Sequence, residues 1–109
     1  MVKLNKIESD NMINLSQCRK YADKIDDAAA EVNSLIIIYE DAYYYIKKNN
    51  SNDASDFANQ LSMEAKKLRD IKNDLSNISF KIRQKANQIY NEELAEQRRK
   101  VAEAAANQA

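Results

Sequence analysis

Residues 15–46 read LSQCRKYADKIDDAAAEVNSLIIIYEDAYYYI. Within them Leu15, Cys18, Ala22, Ile25, Ala29, Val32, Ile36, Tyr39, Tyr43 and Ile46 recur at alternating gaps of three and four. An α-helix completes a turn in about 3.6 residues, so this spacing gathers the ten side chains into one stripe along one face. No glycine or proline occurs anywhere in the 109 residues to interrupt it. The stripe predicts one long helix pressed against another. The missing glycine and proline remove the punctuation that sheets and tight β-turns rely on, so the chain is expected to be all-α and to form one small domain.

Upstream of the stripe, Met1–Asp10 offers only Val2, Leu4 and Ile7 as apolar anchors and reads as a loosely held lead-in. Asp10, or Asn14 with Gln17 three positions on, supplies the side-chain oxygen that a helix start needs. The first helix is expected over about residues 10–48. Lys47 and Lys48 in its last turn complement the negative end of the helix dipole. Downstream, Asn49 to Asp56 is dominated by Asn, Ser and Asp, which favour turns. The turn is placed at about 49–53, with Asn50, Asn52 and Asp53 as its residues and asparagine standing in for glycine at a left-handed position.

A second stripe follows at once: Phe57, Leu61, Leu68, Ile71, Leu75, Ile78, Ile82 and Ile89, filled in by Ala65 and Ala86. It predicts a second helix over about residues 54–95 and, beyond it, a helical or disordered tail at 96–109, rich in Ala, Glu, Gln and Arg with little to bury. Two helices of roughly 35 residues, each about 50 Å long and joined by a short turn, make a long antiparallel hairpin. Its expected core is Ile25, Val32, Ile36 and Tyr39 against Phe57, Leu61, Leu68, Ile71, Leu75, Ile78 and Ile82.

One stripe does not absorb all the apolar side chains. Leu35-Ile36-Ile37-Ile38-Tyr39 sweeps through about 400° and so places large groups on every side of the helix. Tyr43-Tyr44-Tyr45 does the same with aromatic rings. The surplus at Leu35, Ile37, Ile38, Tyr44 and Tyr45 predicts a partner or dimer interface, with the hairpin packing as a four-helix bundle in a dimer or with a helical partner.

The chemistry absent from the chain narrows the function. With no histidine there is no His-containing triad and no helical Glu-x-x-His metal signature, and with no glycine there is no phosphate-cradling loop. The acidic pairs Asp26-Asp27, Glu40-Asp41 and Glu92-Glu93 diverge by about 100° on a helix and read as solvated faces. Seventeen basic and seventeen acidic residues cancel, and the short basic clusters at Lys66-Lys67-Arg69 and Arg98-Arg99-Lys100 are interleaved with acids, so nucleic acid is not an expected partner. Cys18 lies on the stripe and reads as a small buried hydrophobe. The longest apolar run, Leu35 to Tyr39, falls far short of the roughly 20 residues of a membrane span, and Met1–Asp10 lacks the hydrophobic block of a signal peptide. The expectation is a non-enzymatic protein with no catalytic residue, cofactor, metal or small-molecule substrate and no stable membrane insertion.

The stretch Asn50-Ser51-Asn52-Asp53-Ala54-Ser55-Asp56-Phe57 resembles the Trp-x-Gly-x-Ala-x-x-Phe turn of the small WXG (ESX) proteins of the type VII secretion system. Ala54 and Phe57 match, while Asn50 stands for the tryptophan and Asn52 for the glycine. The run Leu68-Arg69-Asp70-Ile71 through Leu75, Ile78, Ile82, Ala86 and Tyr90 is similar to that family's second helix. The family's export signal, Tyr-x-x-x-Asp/Glu, corresponds to Tyr90-Asn91-Glu92-Glu93-Leu94, where the last acid comes one place early. The resemblance covers about residues 10–94.

Relatives lacking both the Trp-Gly pair and the full signal include the small partners of LXG-type toxins. The resemblance therefore implies a targeting subunit that packs on the helical N-terminal domain of such a toxin. It also implies Tyr90, Glu92 and Glu93 as an export signal, and a protein that is cytoplasmic before export and leaves by a Sec-independent route. Two alternatives stand beside it: a secreted WXG-like homodimer, and a structural coiled-coil or needle-type subunit.

Overall fold

In a computed structural model that describes residues 12–108, the chain is two α-helices, α1 (Leu15–Lys47) and α2 (Asn52–Gln108), lying antiparallel as a helical hairpin with no strand among the described residues. The rod measures 88 × 18 × 12 Å.

The first helix starts at Leu15, later than the expected residue 10. Asn14 is extended (φ −92°, ψ 104°) and its side chain accepts the Gln17 backbone N–H, which satisfies one of the donors that a helix start leaves orphaned. The alternative cap, Asp10, and the lead-in anchors Val2, Leu4 and Ile7 lie outside the described residues. At the other end Lys47 sits in the last turn and Lys48 caps it.

The turn occupies residues 48–51, so Asn52 and Asp53, expected within it, belong to the first turn of α2. No described residue has a positive φ, and asparagine therefore does not replace glycine by going left-handed. It acts through its side chain. Asn49 Oδ1 accepts the Ser51 N–H at 2.9 Å, and Ser51 Oγ then accepts the Ala54 N–H at 3.1 Å as the cap of α2. Helix α2 continues without a break to Gln108, well past residue 95, because a segment of Ala, Glu, Gln and Arg with Arg99 bridging Glu96 and Glu103 is a strong helix former even with nothing packed on it.

Where the helices meet, the side chains are small. Ala22, Ala29 and Ile36 of α1 and Ala58, Ala65, Ser79 and Ala86 of α2 are the fully buried residues, each row advancing by sevens with Lys72 filling its gap. A seven-residue repeat keeps one row against the partner helix along the whole contact. Ile25, Val32 and Tyr39, with Leu61, Leu68, Leu75 and Ile82, flank the seam half-buried. Phe57, Ile71 and Ile78, expected in the core, are 49, 48 and 46 % exposed. The physical reason is spacing. Alanine and serine let the backbones approach closely enough for Ser79 Oγ to donate to the Ala22 carbonyl at 3.2 Å, and at that distance the bulky row one residue earlier is pushed out of the contact.

Candidate interaction surface

The two broad sides of the hairpin differ in chemistry. On one side lie the residues that follow the buried rows by four: Asp26, Asn33 and Glu40 on α1, Arg69 and Arg83 on α2. They lock the helices together. Arg83 reaches Asp23 at 2.6 Å and Asp26 at 2.8 Å, Arg69 pairs with Glu40, and from the seam itself Lys72 Nζ donates to Asn33 Oδ1 at 2.9 Å. Arg83 also donates to the Ser79 hydroxyl. The Ser79 hydroxyl first, and the Arg83 guanidinium second, hold the Asp26 carboxyl below its ordinary pKa.

The rows that precede the buried residues by one emerge on the opposite side. In two antiparallel helices, residues displaced in the same sense around each axis finish on the same side of the pair. Tyr21, Ala28, Leu35 and Ala42 of α1 therefore share a surface with Phe57, Ile71 and Ile78 of α2, and the half-buried Leu68, Leu75 and Ile82 floor the groove between them. No described ion pair crosses the helices here. Charge is not absent from it: Glu64 and Lys85 interrupt the row of Phe57, Ile71 and Ile78, while Lys24 and Glu31 on α1 and Lys67, Asp74 and Lys81 on α2 line its edges. Near the turn, Tyr39, Phe57, Leu61 and Met63 line a shallow open groove.

The five residues expected at an interface are all exposed, Tyr45 most of all at 77 %, but they do not form one patch. Leu35, Ile38 and Tyr45 belong to the apolar side. Ile37 and Tyr44 follow the inward row by one, as Asp23 does, and so lie on the ion-pair side, where Tyr44 stands beside Glu40 and Arg69. The Tyr44 ring meets Tyr43 edge-on at 5.2 Å, and Lys47 Nζ stands over the Tyr43 ring at 5.2 Å. The α2 half of the apolar side, Phe57, Ile71 and Ile78, departs from the expected core because large apolar residues at helical spacing read as core. The signal that finds it is the alanine following Phe57 and the serine following Ile78, each at the buried position.

The three residues expected as an export signal sit where α1 begins. Glu93 Oε2 accepts the Ile13 backbone N–H at 2.8 Å and so ties the start of α1 to α2, Glu92 accepts from the Gln88 amide, and Tyr90 is half-buried. Glu93 thus has a structural task, whereas Glu92 is exposed. Beyond Gln97 every described side chain of α2 is exposed.

Among the described residues no group of three or more His, Cys, Asp or Glu side chains is placed to hold a metal ion, and no helix is long and apolar enough to cross a membrane. No family model matches the chain, and neither curated proteins nor solved structures give a match.

Proposed function

We propose that the chain is a non-enzymatic interaction protein that binds a helical client by helix packing, and that it serves type VII secretion by presenting an LXG-type toxin for export. The observation that carries the binding half is the apolar side, where Leu35, Ile71 and Ile78 stand exposed together on a hairpin whose other side carries the ion pairs between the helices. Burying a Leu or Ile side chain is worth roughly 1.5–3 kcal/mol, so several on one surface favour association strongly. A client offering amphipathic helices completes a bundle on that side without any rearrangement of the polar one.

The secretion half rests on the resemblance of the Asn50–Phe57 turn and the Tyr90–Glu93 segment to the WXG pattern. In this reading the protein is cytoplasmic before export and leaves by a Sec-independent route with its client. Tyr90 and Glu92 contribute to a composite recognition surface, while Glu93 supports it by holding Ile13.

The test is co-expression with the helical N-terminal domain of an LXG-type toxin encoded beside this chain. Leu35→Glu combined with Ile71→Glu should abolish co-purification while the hairpin keeps its helical circular dichroism. Tyr90→Ala with Glu92→Ala should leave co-purification intact and stop toxin export. Undiminished co-purification of the first variant refutes the docking surface, and undiminished export with the second refutes the targeting role.

A further inference from the structure

We infer that the apolar side takes a single client helix of divided charge, laid in the groove between α1 and α2 with carboxylates over Lys24, Lys81 and Lys85 and basic side chains one heptad nearer the turn, over Glu31 and Asp74. The inference rests on the client-docking reading of that side and deepens it by naming the charge order that the client carries.

Unpaired charge is the first observation. On the opposite side the charges are taken up within the hairpin, Arg69 by Glu40 and Arg83 by Asp23 and Asp26. Among the described residues, Lys24, Lys81, Glu31 and Asp74 form no ion pair, and Lys85 reaches only the Gln88 amide oxygen at 3.4 Å. Lys24 Nζ lies 5.9 Å from the centre of the Tyr21 ring, so its charge is held over the apolar side. Lys20 with Lys24, and Lys81 with Lys85, are like charges four residues apart, which disfavour the helix that carries them. A partner of opposite charge relieves both pairs.

Position is the second. Ser79 donates to the Ala22 carbonyl, which sets these two residues at one height. Tyr21 then stands between Ile78 and Ile82 along the rod. Lys24 and Lys81, which follow Ala22 and Ser79 by two, stand at the rim of this apolar island about 6 Å apart in height, and Lys85 lies just beyond it. Seven residues nearer the turn, Lys24 gives way to Glu31 on α1 and Lys81 to Asp74 on α2. Both edges thus change sign in the same direction over the same two helical turns, roughly 10 Å. Closer still to the turn, Lys67 is paired with Glu64 on its own helix and adds no net charge.

That change of sign selects the occupant. An anionic bilayer or a nucleic acid backbone presents one sign along its length, and after meeting the lysines it would meet Glu31 and Asp74. An α-helix returns its side chains to the same face every seven residues, so it is able to set acids against the lysines and bases against the acids. Its apolar stripe goes to the half-buried Ile25, Val32, Leu68, Leu75 and Ile82, which floor the groove. Because the charges lie at the rim, they decide register and partner choice more than they add affinity.

The probes are three synthetic peptides of about three heptads with one shared leucine stripe. The first carries glutamates and, one heptad on, lysines; the second carries glutamates only and the third lysines only. Fluorescence anisotropy with the full chain at low salt should show the first binding about tenfold tighter than either other, with the preference shrinking to within about twofold at 1 M salt. Lys24→Glu combined with Lys81→Glu should shift the preference to the lysine-only peptide. Neither side chain pairs within the hairpin, and circular dichroism checks that the helices are kept.

Equal affinities for the three peptides, binding of none, or an unaltered order with the double variant overturns the inference. So does tightest binding by the glutamate-only peptide, by vesicles of anionic phospholipid or by duplex DNA, any of which makes the side a plain anion surface. Equal affinities that are lost with Leu35→Glu and Ile71→Glu remove this inference and leave the docking reading standing. A toxin domain that does not co-purify while the first peptide keeps its lead removes the toxin reading and not this one.

Discussion

Replacing Ala65 with leucine tests whether the seam is held close by its small side chains. Ala65 is 1 % exposed and lies among Tyr39, Glu40, Tyr43, Ser62 and Arg69, directly under the Arg69–Glu40 ion pair. Leucine adds three carbons at the closest approach of the helices. If the seam yields, their burial returns at most roughly 2.4 kcal/mol at about 0.8 kcal/mol per carbon. Yielding, however, means moving the helices from a separation suited to alanine towards one suited to leucine, a difference of about 1–2 Å within the range of helix pairs. Over such a displacement the Ser79–Ala22 hydrogen bond and the Arg83 clamp are stretched, and Ala58 and Ala86 lose their contacts with α1. Overpacking of this kind typically costs about 1–3 kcal/mol net.

In a chain of this size 1 kcal/mol moves the thermal midpoint by roughly 4–8 °C, so Ala65→Leu should melt roughly 4–24 °C lower than the parent. The control is Ala30→Leu, the same substitution on the exposed outer face of α1, which should stay within about 0.5 kcal/mol. Both are followed by circular dichroism in urea and heat at one protein concentration. An Ala65→Leu midpoint equal to that of Ala30→Leu, or above the parent, would refute a seam whose spacing is set by alanine.

The remaining expectations concern caps, acid, length and concentration. Asn14→Ala and Ser51→Ala each remove a side-chain acceptor at a helix start and should cost about 1 kcal/mol in urea unfolding, with Asn14→Asp tolerated. The pKa of Asp26 is lower in the folded hairpin than its ordinary 3.8, so the stability it supplies is complete above the ordinary carboxylate range and is lost as pH falls through the depressed folded value. Asp26→Asn should therefore be less stable than the parent at pH 7, and the difference should vanish in strong acid; a difference independent of pH rules out the ion pair as its source. Deleting the chain from residue 98 onward should lower the helical signal in proportion to the residues lost and leave the unfolding midpoint unchanged, since the side chains of residues 98–107 are all exposed. If two copies share the apolar side, each tenfold rise in protein concentration stabilises the folded dimer by about 1.4 kcal/mol, and the midpoint climbs accordingly; a midpoint constant over a hundredfold range contradicts the shared side.

The hairpin itself was legible because its signals are local. Alternating gaps of three and four in α1 are a direct imprint of helical geometry, and the Asn- and Ser-rich segment is the only place in the chain where turn chemistry outweighs helix propensity. In α1 the stripe Ile25, Val32, Ile36 and Tyr39 is the face turned towards α2. In α2 the stripe was centred one row away from the true seam, because hydrophobic size was used to choose the inner row and Phe57, Ile71 and Ile78 outrank Ala58 and Ser79. Size misleads where two helices meet alone. Close approach rewards the row that keeps the backbones near, and a large residue gains more by waiting at the flank for a second layer. The sequence leaves the tail beyond residue 95 either helical or disordered, since helix continuation past Tyr90 depends on propensity and on side-chain pairs such as Arg99 with Glu96 and not on burial. That Glu93 holds Ile13 was invisible, because it links residues 80 apart in sequence.

The division of labour between the two sides explains why so thin a molecule would be built this way. Of the described residues fully buried by the hairpin alone, only Ile36 is larger than alanine or serine. Much apolar surface therefore remains uncovered in the single chain, and Leu35, Ile71 and Ile78 of the apolar side carry a large share of it. Polar links across the other side define the register of the hairpin with little help from a core. They fix which residues stand at which height, and hence the pattern of oil and charge offered to a partner. Had the large residues been turned inward, the hairpin would be stable alone with nothing left to bind. Had the ion pairs been absent, Ala-on-Ala contact would not hold the rows in step and the surface would have no defined pattern to recognise. Stability and recognition are thus drawn from the same side chains, and any substitution that strengthens the lone hairpin by drawing Ile71 or Leu35 into the seam should weaken association to a similar degree.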